Sequence, residues 1–134
     1  MTGLLVDGRW VAPLEIADGF WSRARGLLGK SSFDGALLIR AGRPVRSVHT
    51  IGMRFPIEVA FCDHELRVLH VMAMPPNRPP TRSPAAGVTQ VVEAQAGSFA
   101  GWGVDASGRA VGSQLGISES GESGESADAP TSQS

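Results

Sequence analysis

Apolar residues fall in short runs along the chain, mostly alternating with a period of two, and glycine or proline punctuates the runs. Residues 4–6 and 10–12 are two such runs around Asp7-Gly8, a pair that tolerates the positive φ of a two-residue turn, so the pattern predicts an opening β-hairpin. Helical spacing appears once: Phe20, Ala24, Leu27 and Leu28 can share one face, with Asp18 as cap and Gly29 as stop, which predicts one short α-helix near the N-terminus. Residues 36–40 and 46–50 then read as strands, and Gly42 and Pro44 between them predict a second hairpin. Ile57, Val59 and Phe61 alternate with Glu58, Ala60 and Cys62. A turn at residues 63–65 leads to residues 66–74, which are apolar on both faces apart from Arg67 and His70 and read as a central strand. Residues 75–84 hold five prolines, which remove backbone donors and favour an extended surface loop. Residues 88–94 predict a further strand, Ser98 to Trp102 a single helical turn, and residues 111–115 a last edge strand. Seven to nine short strands with little helix are expected to form a mainly β fold, an antiparallel sandwich or partly open barrel with the helix at one end.

Composition bounds this picture. The 134 residues, 42% of them hydrophobic, suffice for one domain, expected over residues 1–116. Residues 117–134 are rich in Ser, Gly and Glu and lack large apolar side chains beyond Ile117, so this C-terminal tail is expected to be disordered. The N-terminal stretch carries Asp7 and Gly8 where an export signal needs an unbroken apolar run, and no stretch is long and apolar enough to span a bilayer. A soluble, cytoplasmic monomer without membrane contact is expected. Cys62 is the single cysteine, which excludes an intramolecular disulfide and a four-cysteine metal site. The formal charge is −1, but four of the 13 acidic residues (Glu119, Glu122, Glu125 and Asp128) lie in the tail and leave the rest with a basic excess. The absence of tyrosine and the modest charge argue against nucleic-acid binding.

Few residues invite chemistry. His49 and Glu58 flank a loop across which a carboxylate could hold an imidazole for acid-base catalysis; the simpler reading has polar groups there tying down the loop, Thr50 capping it and Met53 filling a gap. Arg40, Arg43 and Arg46 surround one turn, and Arg78 and Arg82 lie in the proline loop, where they could receive a carboxylate or phosphate. Arg25 could pair with a carboxylate such as Glu58. Ser83 lacks the G-x-S-x-G setting of a hydrolase nucleophile and reads as a turn residue. His64 is expected to be solvent-exposed, His70 to sit in the core, and Cys62 to be buried and inert. Three histidines without ligand spacing predict no metal site, and nothing calls for a cofactor.

The order RARGLLGKSSFDGALLI, SVHTIGMRFPIEVAFCD, the proline loop with RSPA, and VVEAQAG resembles domain-of-unknown-function family 192, a set of uncharacterised bacterial and archaeal proteins. His49, Thr50, Met53, Pro56 and Ile57 stand at its most distinctive positions, and Arg25, Gly26 and Leu27 match a second motif. Glu58 replaces the usual aspartate, Leu28 a common methionine, and Gly112-Ser113 a frequent Gly-Asp. The resemblance implies a jelly-roll-like β fold and no agreed activity. Two functions are therefore weighed. The first is a binding or accessory module presenting Arg25, His49, Thr50, Met53, Glu58, Arg78, Arg82 and Ser83 to a protein or a small anionic ligand. The second is a small hydrolase or isomerase using His49 with Glu58.

Overall fold

A computed structural model describes residues 2–17, 35–40, 44–51, 53–104 and 113–119. The helix expected around residues 18–28, with Arg25, and the tail from residue 120 lie outside these residues, as does Arg43. The fold is mainly β, with strands β1 (Gly3–Val6), β2 (Arg9–Ala17), β3 (Ala36–Arg40), β4 (Ser47–Val48), β5 (Ile57–Cys62), β6 (Val68–Met74), β7 (Thr81–Arg82), β8 (Gln90–Gln95) and β9 (Leu115–Ser118). One helical turn, α1 (Ser98–Gly101), sits where Ser98 was expected to start one.

Seven strands form one sheet in the order β6-β5-β8-β3-β2-β1-β9, and β4 pairs with β7 separately. The hairpin at Asp7-Gly8 forms, with φ of 50° and 85° at the two turn residues, the left-handed pair that joins two right-twisted strands without splaying them. The β5–β6 hairpin also forms. Asp63 stiffens its turn, accepting the backbone N–H groups of Glu65 and Arg67 on Oδ1 at 2.9 Å each.

Four expectations are corrected. The sheet is not wholly antiparallel, because β2 and β3 run parallel. The proposed hairpin of residues 36–40 with 46–50 does not form: β3 lies between β2 and β8, and β4 pairs with β7. That pairing draws Thr81 and Arg82 out of the proline loop into a short ladder, which is possible because they keep their N–H groups between Pro80 and Pro84. Residues 68–74 form an outer strand, bonded along its length to β5 alone among the named strands. The last strand, expected over residues 111–115, begins at Leu115 and runs through Ser118; residues 111–112 lie outside the described residues.

The two outer strands meet at one end. The Val68 N–H donates to the Ser113 carbonyl at 2.9 Å and the Leu115 N–H to the Leu66 carbonyl at 3.0 Å, around a bridge between Arg67 and Gln114. The sheet is thus an open, curled one whose ends touch at a corner. Alternation along its strands builds two apolar layers. Leu4, Val6, Leu14, Leu38, Ala60, Cys62, Val92 and Phe99 share one, drawing on all parts of the curl. Leu37, Ile39, Ile57, Val59, Phe61 and Val91 face the other, which Val48, Met53 and Phe55 cover from above.

Gly35 enters β3 against β2. A Cβ there would stand 2.6 Å from the Pro13 carbonyl oxygen, a backbone atom held by the parallel pairing. Gly35→Ala is therefore expected to lower unfolding free energy by about 1–3 kcal/mol, as overpacking does; urea denaturation followed by tryptophan fluorescence measures it, and an unchanged midpoint would contradict this close approach.

Candidate functional site

The layer over the second apolar face carries most of the polar residues singled out above. Its centre is Thr50, fully buried at 0% exposure. The Thr50 hydroxyl donates to the Pro75 carbonyl at 2.6 Å and accepts the Arg78 N–H at 2.8 Å. Its backbone N–H donates to the Arg78 carbonyl at 3.0 Å, while its carbonyl accepts from Asn77 at 2.9 Å and Met53 at 3.1 Å. One side chain and its peptide groups thus join the loop after β4 to the proline loop. Asn77 makes this possible by adopting a φ of 59°, a left-handed conformation asparagine tolerates. Met53 and Phe55 press into the apolar layer beneath, so the loop is held from both sides.

His49 is half-buried, and its Nδ1 accepts the Ile51 N–H at 3.3 Å, which in the neutral ring puts the proton on Nε2. Glu58 is buried, and its Oε1 accepts the Phe99 N–H at 3.2 Å in the turn α1. Strand alternation turns Glu58 to the face of Ala60 and Cys62, whereas Met53 and Phe55 pack on the face of Ile57 and Val59. The printed partner of the Glu58 side chain is thus the Phe99 N–H and that of the His49 ring the Ile51 N–H, contacts of the loop- and turn-fixing kind that the simpler reading expects.

The arginines separate likewise. Arg46 and Arg82 line a groove of about 550 Å³ with Val45, Ser47, Pro80, Ser83 and Ala85, and Ser47 stands directly opposite Arg82 in the β4–β7 ladder. Arg78 and Arg54 are exposed near Thr50. Ser83 is a turn residue: its N–H donates to the Arg46 carbonyl at 2.8 Å and its hydroxyl to the Ala85 carbonyl at 3.0 Å. Among the described residues no group of three or more His, Cys, Asp or Glu side chains could hold a metal ion, and no helix is long and apolar enough to cross a membrane.

Burial, and secondarily the nearby Asp63 charge, pushes the Cys62 thiol up from 9.0 to about 12. Burial alone would raise Asp63, but the backbone N–H groups of Arg67 and Glu65 outweigh it and hold the carboxyl below its ordinary value. His64 is 79% exposed beside Glu65, and His70 is half-buried on β6. Glu93 was not singled out from sequence, yet it is buried on central β8 and is not without a partner. A charged residue inside the run VVEAQ was the available signal, since such a position is seldom buried unless its charge is compensated.

The model of the family of domain of unknown function 192, described as "Uncharacterized ACR", matches residues 5–111. The chain belongs to this family. Two solved structures are similar to it. One is a protein of unknown function from Novosphingobium aromaticivorans DSM 12444, with TM-score 0.68, 19% identity, and coverage of 84% of this chain and 82% of that one. The other is a candidate transcription regulator from Sinorhizobium meliloti 1021, with TM-score 0.71, 20% identity, and coverage of 87% and 94%. At these identities the likeness establishes the fold. No curated protein matches the chain.

Two outcomes follow from this geometry. Thr50→Val keeps the side-chain shape but strands the Pro75 carbonyl and the Arg78 N–H, so a loss of about 2–3 kcal/mol is expected, with faster hydrogen exchange at Arg78; unchanged exchange would show that the hydroxyl does not hold the loops. For Cys62, the folded thiol titrates above its unfolded value of 9.0, so its contribution is fully present below about pH 9 and is lost as pH rises toward about 12. With no tyrosine and Lys30 as the one lysine, that window is nearly free of other side-chain titrations. Stability should fall by about 1.4 kcal/mol per pH unit more steeply in the native chain than in Cys62→Ala, measured by urea unfolding at pH 8 to 11; parallel slopes would refute a protonated buried thiol.

Proposed function

We propose that this member of family 192 is a binding module that takes a small anionic ligand in the groove between residues 45–47 and 80–85. The observation that carries the reading is a pair of arginines, Arg46 and Arg82, lining one groove with no carboxylate paired to either guanidinium among the described residues. A guanidinium presents a rigid fork of donors that matches a carboxylate or phosphate edge, and two of them share the charge of a dianion. Ser47 and Ser83 add polar atoms at the same lining. In this reading Arg82 and Ser83 meet the ligand. Thr50 and Met53 fix the layer that carries them, with His49 at its rim and Arg78 bonded to it through its backbone.

The catalytic alternative needs His49 and Glu58 in one place, and the Glu58 bond to Phe99 on the other face of the sheet supports a structural role instead. The regulator description belongs to the Sinorhizobium relative. The jelly-roll designation, a monomeric state and a cytoplasmic location are parts of the same proposal.

Amide NMR of the full chain, titrated with inorganic phosphate and with malonate at low salt, tests it. Saturable shifts confined to residues 45–48 and 80–85 are expected, with affinity falling at least tenfold in Arg82→Ala or Arg46→Ala and declining as salt rises. Linear, unsaturating shifts spread across all exposed arginines would overturn the groove as a site.

A further inference from the structure

The chain carries a segment of opposite sign to the groove. Beyond β9, an acidic residue recurs at every third position, Glu119, Glu122, Glu125 and Asp128, and no Lys, Arg or His lies between Glu119 and Ser134. The residues between the acids are Ser, Gly and Ala, which add little bulk around the carboxylates. Runs of like charge are commonly solvated or serve as interaction tails. Here the groove lined by Arg46 and Arg82 supplies the complement: both arginines are exposed, and neither is paired with a carboxylate among the described residues.

Strand register fixes where this segment starts. Ser118 pairs with Gly3 and Gly3 with Pro13; Leu14 then pairs with Ala36, Ala36 with Ala94, Ala94 with Glu58 and Glu58 with Ala73. β9 therefore ends at the same end of the sheet as β6. From Met74 the chain runs on into the proline loop, whose residues Pro80, Arg82 and Ser83 wall the groove. The ten residues 119–128 reach up to about 33–36 Å when extended, more than twice the ~13 Å radius of gyration of a domain this size. A single exposed carboxylate–arginine pair is weak, but covalent attachment makes the encounter intramolecular, and four carboxylates offer two arginines several equivalent pairings.

We propose that residues 119–128 of the chain itself dock on the groove of Arg46 and Arg82, where their carboxylates compete with an external anion for the same guanidinium groups. The inference rests on the groove reading above and adds its regulation: an external ligand gains the site only by displacing the acidic segment.

The test is a nitroxide spin label on Ser126→Cys in the full chain; Cys62 is buried, so the label goes to position 126. At low salt, paramagnetic broadening of amide NMR signals is expected to concentrate at residues 45–48 and 80–85. It should vanish in the double variant Arg46→Ala, Arg82→Ala and be relieved by malonate and by salt. In the unlabelled chain, Glu119→Gln, Glu122→Gln, Glu125→Gln and Asp128→Asn together should raise phosphate affinity at the groove at least about threefold, with an unchanged melting temperature. Broadening spread evenly, or centred on another surface, overturns the docking, as does a gain in phosphate affinity without localised broadening, which a long-range field alone would produce. In either case saturable phosphate shifts lost in Arg82→Ala would leave the groove reading standing. Localised broadening without saturable phosphate binding would uphold the docking and sink the external ligand.

Discussion

Two-sided burial of the central strands is the constraint from which the rest follows. All six residues of β5 are buried, and the neighbouring β8 and β3 send apolar side chains to both faces. A sheet of this kind must be covered twice. One face is covered by the sheet itself, which curls until the segment before β6 touches the segment before β9. The other face has no strand of the main sheet left to cover it among the described residues, so the β4–β7 ladder and the loops around Thr50 are laid across it.

That second cover is built under a handicap that explains its chemistry. It contains a proline-rich segment, which can supply few backbone donors, and the residues between the prolines must carry the bonding. Asn77, Arg78 and Ser83 each donate a backbone N–H to the neighbouring segment, two of them to Thr50 and one to Arg46. The backbone of this segment is thus engaged while the side chains of Arg46, Arg78 and Arg82 remain exposed. Proline content, buried threonine and exposed arginine are thus one arrangement.

Local patterns in the sequence were faithful wherever structure is local. Asp7-Gly8 gave its hairpin, Asp63 its turn, and Ser98 a helical turn, since turn chemistry acts over four residues or fewer. Lateral order was not legible. Residues 66–74 look central because both their faces are apolar, yet β6 is an outer strand. Periodicity reports which faces are covered; hydrogen-bonded neighbours lie at right angles to those faces and leave no period in the sequence. The same gap hid the parallel β2–β3 pair and the long-range pairing of β4 with β7. Thr50 and Met53 were legible as loop-fixing residues, but the partners of Thr50 at residues 75–78 were not.

The placement of Glu58 shows how strongly this logic governs chemistry. In a strand covered on both faces, an odd and an even position face different environments, so a residue at 58 cannot serve the layer that 57 and 59 serve. Its side chain instead anchors the single turn of α1 by accepting the Phe99 N–H. Glu93, at the opposite parity on β8, is buried on the other side. Two carboxylates close in the ladder therefore sit in different interiors, each committed to a partner, and the groups left accessible on the covering layer are cationic.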